Sequence, residues 1–111
     1  MILLKFAQQN KDIFEKIKAG RKKVETRAAT ERYRDIKSGD EVVLMCGRSK
    51  ITKTVTKISR FRTIAELLKK YTPGQINPGL HTYEETVQMY HSFPGYKEKI
   101  EEFGLIALEL K

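Results

Sequence analysis

The apolar positions of this chain change period several times, and each change marks an element. The run Ile2 to Phe6 reads as a strand. Asn10 then stands where a helix N-cap would be, and Ile13, Phe14 and Ile17 fall on one helical stripe while Lys11, Glu15 and Lys18 face water. Gly20 ends that helix, because glycine takes the left-handed conformation without a Cβ penalty. From Lys22 to Arg27 the period becomes two, with Lys23, Glu25 and Arg27 on one face and Lys22, Val24 and Thr26 on the other. This spacing predicts a strand that presents a row of charge.

A basic crossing, Arg32 to Lys37, leads to a turn at Ser38-Gly39-Asp40. Glu41 to Cys46 reads as a buried strand, Gly47 and Arg48 as its turn, and Lys50 to Ile58 as the partner strand, where Thr52, Thr54 and Thr56 favour a pleated surface. Thr63 with Glu66 and Thr82 with Glu85 have the spacing of capping boxes. The first precedes the helical stripe Ile64, Leu67, Leu68 and Tyr71, and the second precedes Tyr83, Thr86, Val87 and Tyr90. Two Pro-Gly pairs between these helices mark consecutive turns, and Pro94-Gly95 breaks the chain again. A short helix with Tyr96, Ile100 and Phe103 follows, and Leu105 to Leu110 forms a last strand with Ile106, Leu108 and Leu110 on one face.

These elements add up to an α+β fold, a small mixed sheet with short flanking helices. Closure into a small β-barrel would protect the edges of such short strands. A doubly wound sheet is disfavoured, since neither GxGxxG nor GxxxxGK[ST] occurs. With no internal repeat and no linker, residues 1–111 read as a single domain.

Charge adds a direction to this picture. The 111 residues carry 22 Lys+Arg against 14 Asp+Glu, a formal net charge of +8, which favours attraction to a polyanion such as nucleic acid. No run approaches the roughly 18 apolar residues of a membrane span, and Lys5 interrupts the apolar start before a signal-peptide core can form. No membrane association is expected. Cys46 is the single cysteine, and with only His81 and His91 beside it no zinc spacing occurs, so a reducing intracellular setting, cytoplasmic by default, is expected, with no metal and no cofactor. Cys46 itself reads as strand core, and the two histidines as structural or surface residues.

The densest cluster of chemistry is Lys18 to Arg27. Glu25 can accept hydrogen bonds from a base edge or orient a cation, and Arg27 can bind phosphate through its planar fork. The same residues also admit a plainer reading, an ordinary Glu25–Arg27 pair flanked by solvated lysines. Arg21, Lys23, Arg32, Arg34 and Arg48 are candidates for attraction to a nucleic-acid backbone, and Phe61, inside Arg60-Phe61-Arg62, for base stacking. Tyr83 and Tyr96 are assigned instead to the core margin, while the role of Tyr90 stays open.

The set Gly20-Arg-Lys22-Lys-Val-Glu25-Thr-Arg27, followed by Gly39-Asp40 and a hydrophobic strand, resembles the G-x-K-x-x-E-x-R signature and G-D turn of the ASCH domain family. The resemblance extends over nearly the whole chain and points to the small single-domain members. It implies a PUA-like mixed β-barrel with short flanking helices, and a cleft lined by Lys22, Glu25 and Arg27 that binds RNA or a nucleotide-containing ligand. Some small members hydrolyse the N-acetyl group of an acetylated cytidine with a lysine, a threonine and a glutamate. Under that alternative Lys22 stands at the lysine position, Glu25 replaces the threonine, and Glu85, with Glu84 second, is the candidate glutamate for an amidohydrolase acting on an N-acetylated pyrimidine nucleoside. A protein-interaction adaptor is the third reading, and whether the chain is an enzyme stays open.

Overall fold

The C-terminal run that predicts one apolar face is buried on both. In the computed structural model, which describes residues 2–111, β5 (Leu105–Leu110) sends Ile106, Leu108 and Leu110 into one core and Leu105 and Ala107 into another. Its neighbours explain this position. β4 (Ser49–Phe61) runs antiparallel on one side and β2 (Val24–Ala28) antiparallel on the other. Beyond β4 lies β3 (Glu41–Cys46), also antiparallel, and beyond β3 lies β1 (Ile2–Phe6), parallel to it. The order is β1-β3-β4-β5-β2, so the two edge strands are β1 and β2. The mixed sheet curls into a half-barrel, and the closure that would pair β1 with β2 is not made.

One core fills the side covered by α1 (Lys11–Lys18), whose Phe14 and Ile17 pack with Leu4, Leu44, Val55 and Leu108. The second lies under α2 (Ile64–Lys70), α3 (Pro73–Ile76), α4 (Tyr83–Ser92) and α5 (Tyr96–Phe103), where Leu67, Ile76, Tyr90 and Ile100 meet Leu105 and Ala107. At the α5–β5 junction Gly104 has φ +75, and a Cβ there would sit 2.3 Å from the Phe61 carbonyl oxygen. Only glycine permits that approach.

Several local expectations change. β2 starts at Val24, not Lys22, and β4 runs to Phe61 through an irregular register between Val55 and Lys57. Asn10 occupies the N-cap position of α1 without a side-chain cap bond. The first Pro-Gly pair lies in α3, a single turn closed by a Thr72–Gln75 capping box, where a turn alone is expected. Thr82 and Glu85 form the expected box, whereas Glu66 caps the Arg62 amide while Thr63 accepts from Glu66. Among the described residues no helix is long and apolar enough to cross a membrane.

Candidate functional site

The expected strand alternation assigns Lys22 and Glu25 to opposite faces. Lys22 escapes that geometry because it lies in the turn after α1, where its amide bonds the Lys16 carbonyl at 3.1 Å. From there its side chain folds back over the start of β2. Its ammonium, almost fully buried, reaches Glu25 Oε1 at 3.1 Å and the Ile76 carbonyl at 2.5 Å, and also donates to the Val24 carbonyl. The other carboxylate oxygen of Glu25 accepts from Arg27 Nε at 2.8 Å. Glu25 and Arg27 share a face because two residues separate them on β2, and their register partners Leu108 and Ile106 belong to the α1-side core.

The electrostatics follow from this bridge. Burial pushes the Glu25 carboxyl upward, but Lys22 and Arg27 overcome it and hold the group below its ordinary value. Burial lowers the Lys22 ammonium, with Glu25 offsetting part of the effect. Two cations thus flank one carboxylate and leave a net positive site. Among the described residues Arg27 uses only Nε, and its guanidinium lies 4.7 Å from the centre of the Phe6 ring, which ties the end of β1 to β2.

A cleft of about 280 Å³ occupies the gap between these edges. Lys22, Glu25, Thr26 and Arg27 line one side and Lys5 and Phe6 the other, with Tyr90, Phe93 and Tyr96 as an aromatic wall. The rings of Tyr90 and Tyr96 are parallel, with an interplanar angle of 4° and centroids 6.5 Å apart, and Phe93 meets Tyr96 edge-on at 5.4 Å. Thr26 faces the opposite side of β2 from Glu25, and its hydroxyl bonds the buried Tyr90 hydroxyl. Burial pushes the Tyr90 phenol well up, so it stays protonated at neutral pH.

Lys22, Glu25 and Arg27 therefore meet as one group, and the other sequence candidates do not join it. Arg21, Lys23 and Arg48 are exposed and outside the cleft wall. Arg32 donates to the Leu3 carbonyl at 2.7 Å on the outer edge of β1, and Arg34 is a solvent-facing neighbour of Asp35 at 3.9 Å. Phe61 is half-buried against Tyr71, edge-on at 6.3 Å, on the helical side. Glu85 stays on the surface, where its carboxylate accepts from the His81 and Thr82 amides, and neither it nor Glu84 lines the cleft. His81 and His91 are exposed, and Cys46 is buried in β3. Tyr96 packs at the margin of the helical-side core, as expected, and also lines the cleft, whereas Tyr83 is exposed and does not belong to that margin.

Sequence reasoning missed Phe6, Asn77 and Lys5. Phe6 and Lys5 read only as part of an apolar strand and its interruption, and nothing local brings the end of β1 to β2. Asn77 lies in the Pro-Gly segment, and its role appears only when that segment packs under Lys22.

No family model and no curated protein matches the chain. Among solved structures it is similar to protein PF0455 from Pyrococcus furiosus, determined by solution NMR, at 29% identity and TM-score 0.72, over 99% of this chain and 96% of that one. It is also similar to the crystal structure of hypothetical protein PH0355, at 30% identity and TM-score 0.78, over 99% of this chain and 98% of that one. Sharing that level of identity over both full lengths, the chain belongs to the same family as PH0355.

Proposed function

We propose that the protein is a PUA-like ASCH module that binds RNA or a nucleotide-containing ligand in the cleft between β1 and β2. Its main support is the buried Lys22–Glu25–Arg27 bridge, a net positive group set beside an aromatic wall. A cation with unused donors attracts phosphate, and flat rings at the same place accept a base. The net charge of +8 adds a diffuse attraction for polyanions.

Binding is favoured over hydrolysis of an N-acetylated nucleoside because Glu85 stands outside the cleft and Glu25 already serves two cations. An adaptor role is less supported. Among the described residues Tyr83 and Phe103 are the large exposed hydrophobic ones, too few for a broad apolar patch.

The test presents the purified protein with single-stranded and structured RNA, nucleoside monophosphates, and acetylated and unacetylated cytidine, at low and high salt. Saturable binding of RNA or nucleotides without acetate release is the expected result. Acetate release would favour the hydrolase, and no binding by any of these would overturn the proposal.

A further inference from the structure

The free edge of β2 carries recognition groups that no side chain supplies. In an antiparallel ladder, residues alternate between turning both N–H and C=O to the partner strand and turning both away. The Lys23 carbonyl accepts from the Leu110 amide at 2.8 Å and the Ala29 amide donates to the Gly104 carbonyl at 2.9 Å. Odd-numbered residues of β2 are therefore bonded to β5, and Val24, Thr26 and Ala28 turn their backbone groups outward.

Two of the three outward carbonyls are occupied. That of Val24 is bonded by the Lys22 ammonium, and that of Ala28 by the Thr30 amide at 2.8 Å. Thr26 lies between them in the cleft wall, and its N–H and C=O take no partner among the described residues. Asn77 in the same wall has a side-chain oxygen shielded from water and without a hydrogen-bond partner. Buried polar groups ordinarily find partners, so this unpaired oxygen marks the wall beside Thr26 as polar and imperfectly satisfied.

Resting on the nucleotide-binding reading above, we propose that Thr26 reads the pairing edge of an unpaired nucleobase with its main chain. The N–H and C=O of one extended residue lie side by side, so they match an adjacent acceptor and donor on a flat ring. Every base carries such a pair on its Watson–Crick edge, and that edge is hidden in a duplex. Addition of a peptide strand is the rival occupant, but it needs a row of free edge groups. Here only one residue offers a complete pair.

The experiment compares uridine monophosphate with its N3-methyl derivative, which keeps phosphate, sugar and ring but blocks the edge. On the protein side, Thr26→Pro removes the N–H at a position that does not bond β5, while Thr26→Val removes only the hydroxyl. The expected result is about tenfold weaker binding for the methylated ligand, and clearly weaker binding by folded Thr26→Pro than by Thr26→Val, the comparison that isolates the N–H. Should Thr26→Pro fail to fold, an amide-to-ester replacement at Thr26 removes the same donor and keeps the side chain. Equal binding of the two ligands would overturn base-edge reading while leaving nucleotide binding intact. Absence of binding by uridine, cytidine, adenosine and guanosine monophosphates and by single-stranded RNA would instead fail the underlying proposal.

Discussion

Lys22 and Glu25 meet at 3.1 Å because the lysine stands ahead of β2 and reaches back over it, so a three-residue separation becomes a buried ion pair without a bulge. Arg27 completes the arrangement from within the strand. The carboxylate is the shared element, and the first expectations concern its removal.

Glu25→Gln leaves Lys22 and Arg27 without their common counter-charge. Breaking one partner of a buried pair costs about 3–5 kcal/mol. Urea unfolding of the variant should give a correspondingly lower midpoint with an unchanged slope. A loss below about 1 kcal/mol would place the bridge among surface-like pairs.

The acid limb of stability should carry the same signature. The folded Glu25 carboxyl lies below its ordinary value of 4.5, so the unfolded chain binds the proton more readily. The contribution is complete above that ordinary value and is lost as pH falls through the lower, folded value. Unfolding free energies measured from pH 6 down to pH 3 should fall less steeply in Glu25→Gln than in wild type, and parallel curves would contradict the assignment.

Arg27→Lys keeps a positive charge but loses the planar fork over Phe6. Nucleotide affinity should fall by about 1–2 kcal/mol, and by more than in Lys111→Ala, whose terminal ammonium adds only a diffuse field. Titrations at two salt concentrations check this, with thermal unfolding confirming that both variants are folded. Equal affinities would remove Arg27 from the ligand contact.

Gly104→Ala combines a left-handed φ with a collision against the Phe61 carbonyl. Backbone strain of this kind alone costs about 1–3 kcal/mol, and the collision adds to it. Gly39→Ala, at φ +96 but in open space, is the comparison. Calorimetry should show the larger drop in melting temperature at Gly104.

Much of this architecture is legible from periodicity. The apolar runs at Ile2, Glu41 and Leu105 are strands, and the Thr82–Glu85 spacing starts a helix with its capping box intact. These features depend on neighbours within a few residues. The signature also gathers Lys22, Glu25 and Arg27, although strand alternation argues against Lys22. What the sequence hides is long-range. Phe6 comes over Arg27 only because β1 and β2 end as opposing edges, and Asn77 and Tyr90 reach the site through packing of α3 and α4. The candidate basic residues lie outside the cleft for the complementary reason: charge density along the chain says nothing about which way each side chain points, and Arg32 is turned to the outer edge of β1.

An unfinished barrel presents two rows of backbone groups that invite other chains to pair with them and aggregate. Here the gap is guarded from within: Lys22 caps one carbonyl of β2, and Arg27 bridges to Phe6. Along β2 the one complete main-chain pair left free, at Thr26, is bordered by positive charge and too short for a stray strand to seat. On the proposed reading, the same incompleteness that would give the molecule a place for a small flat guest limits pairing with other chains, and a variant that widened the gap is expected to lose selectivity and solubility together.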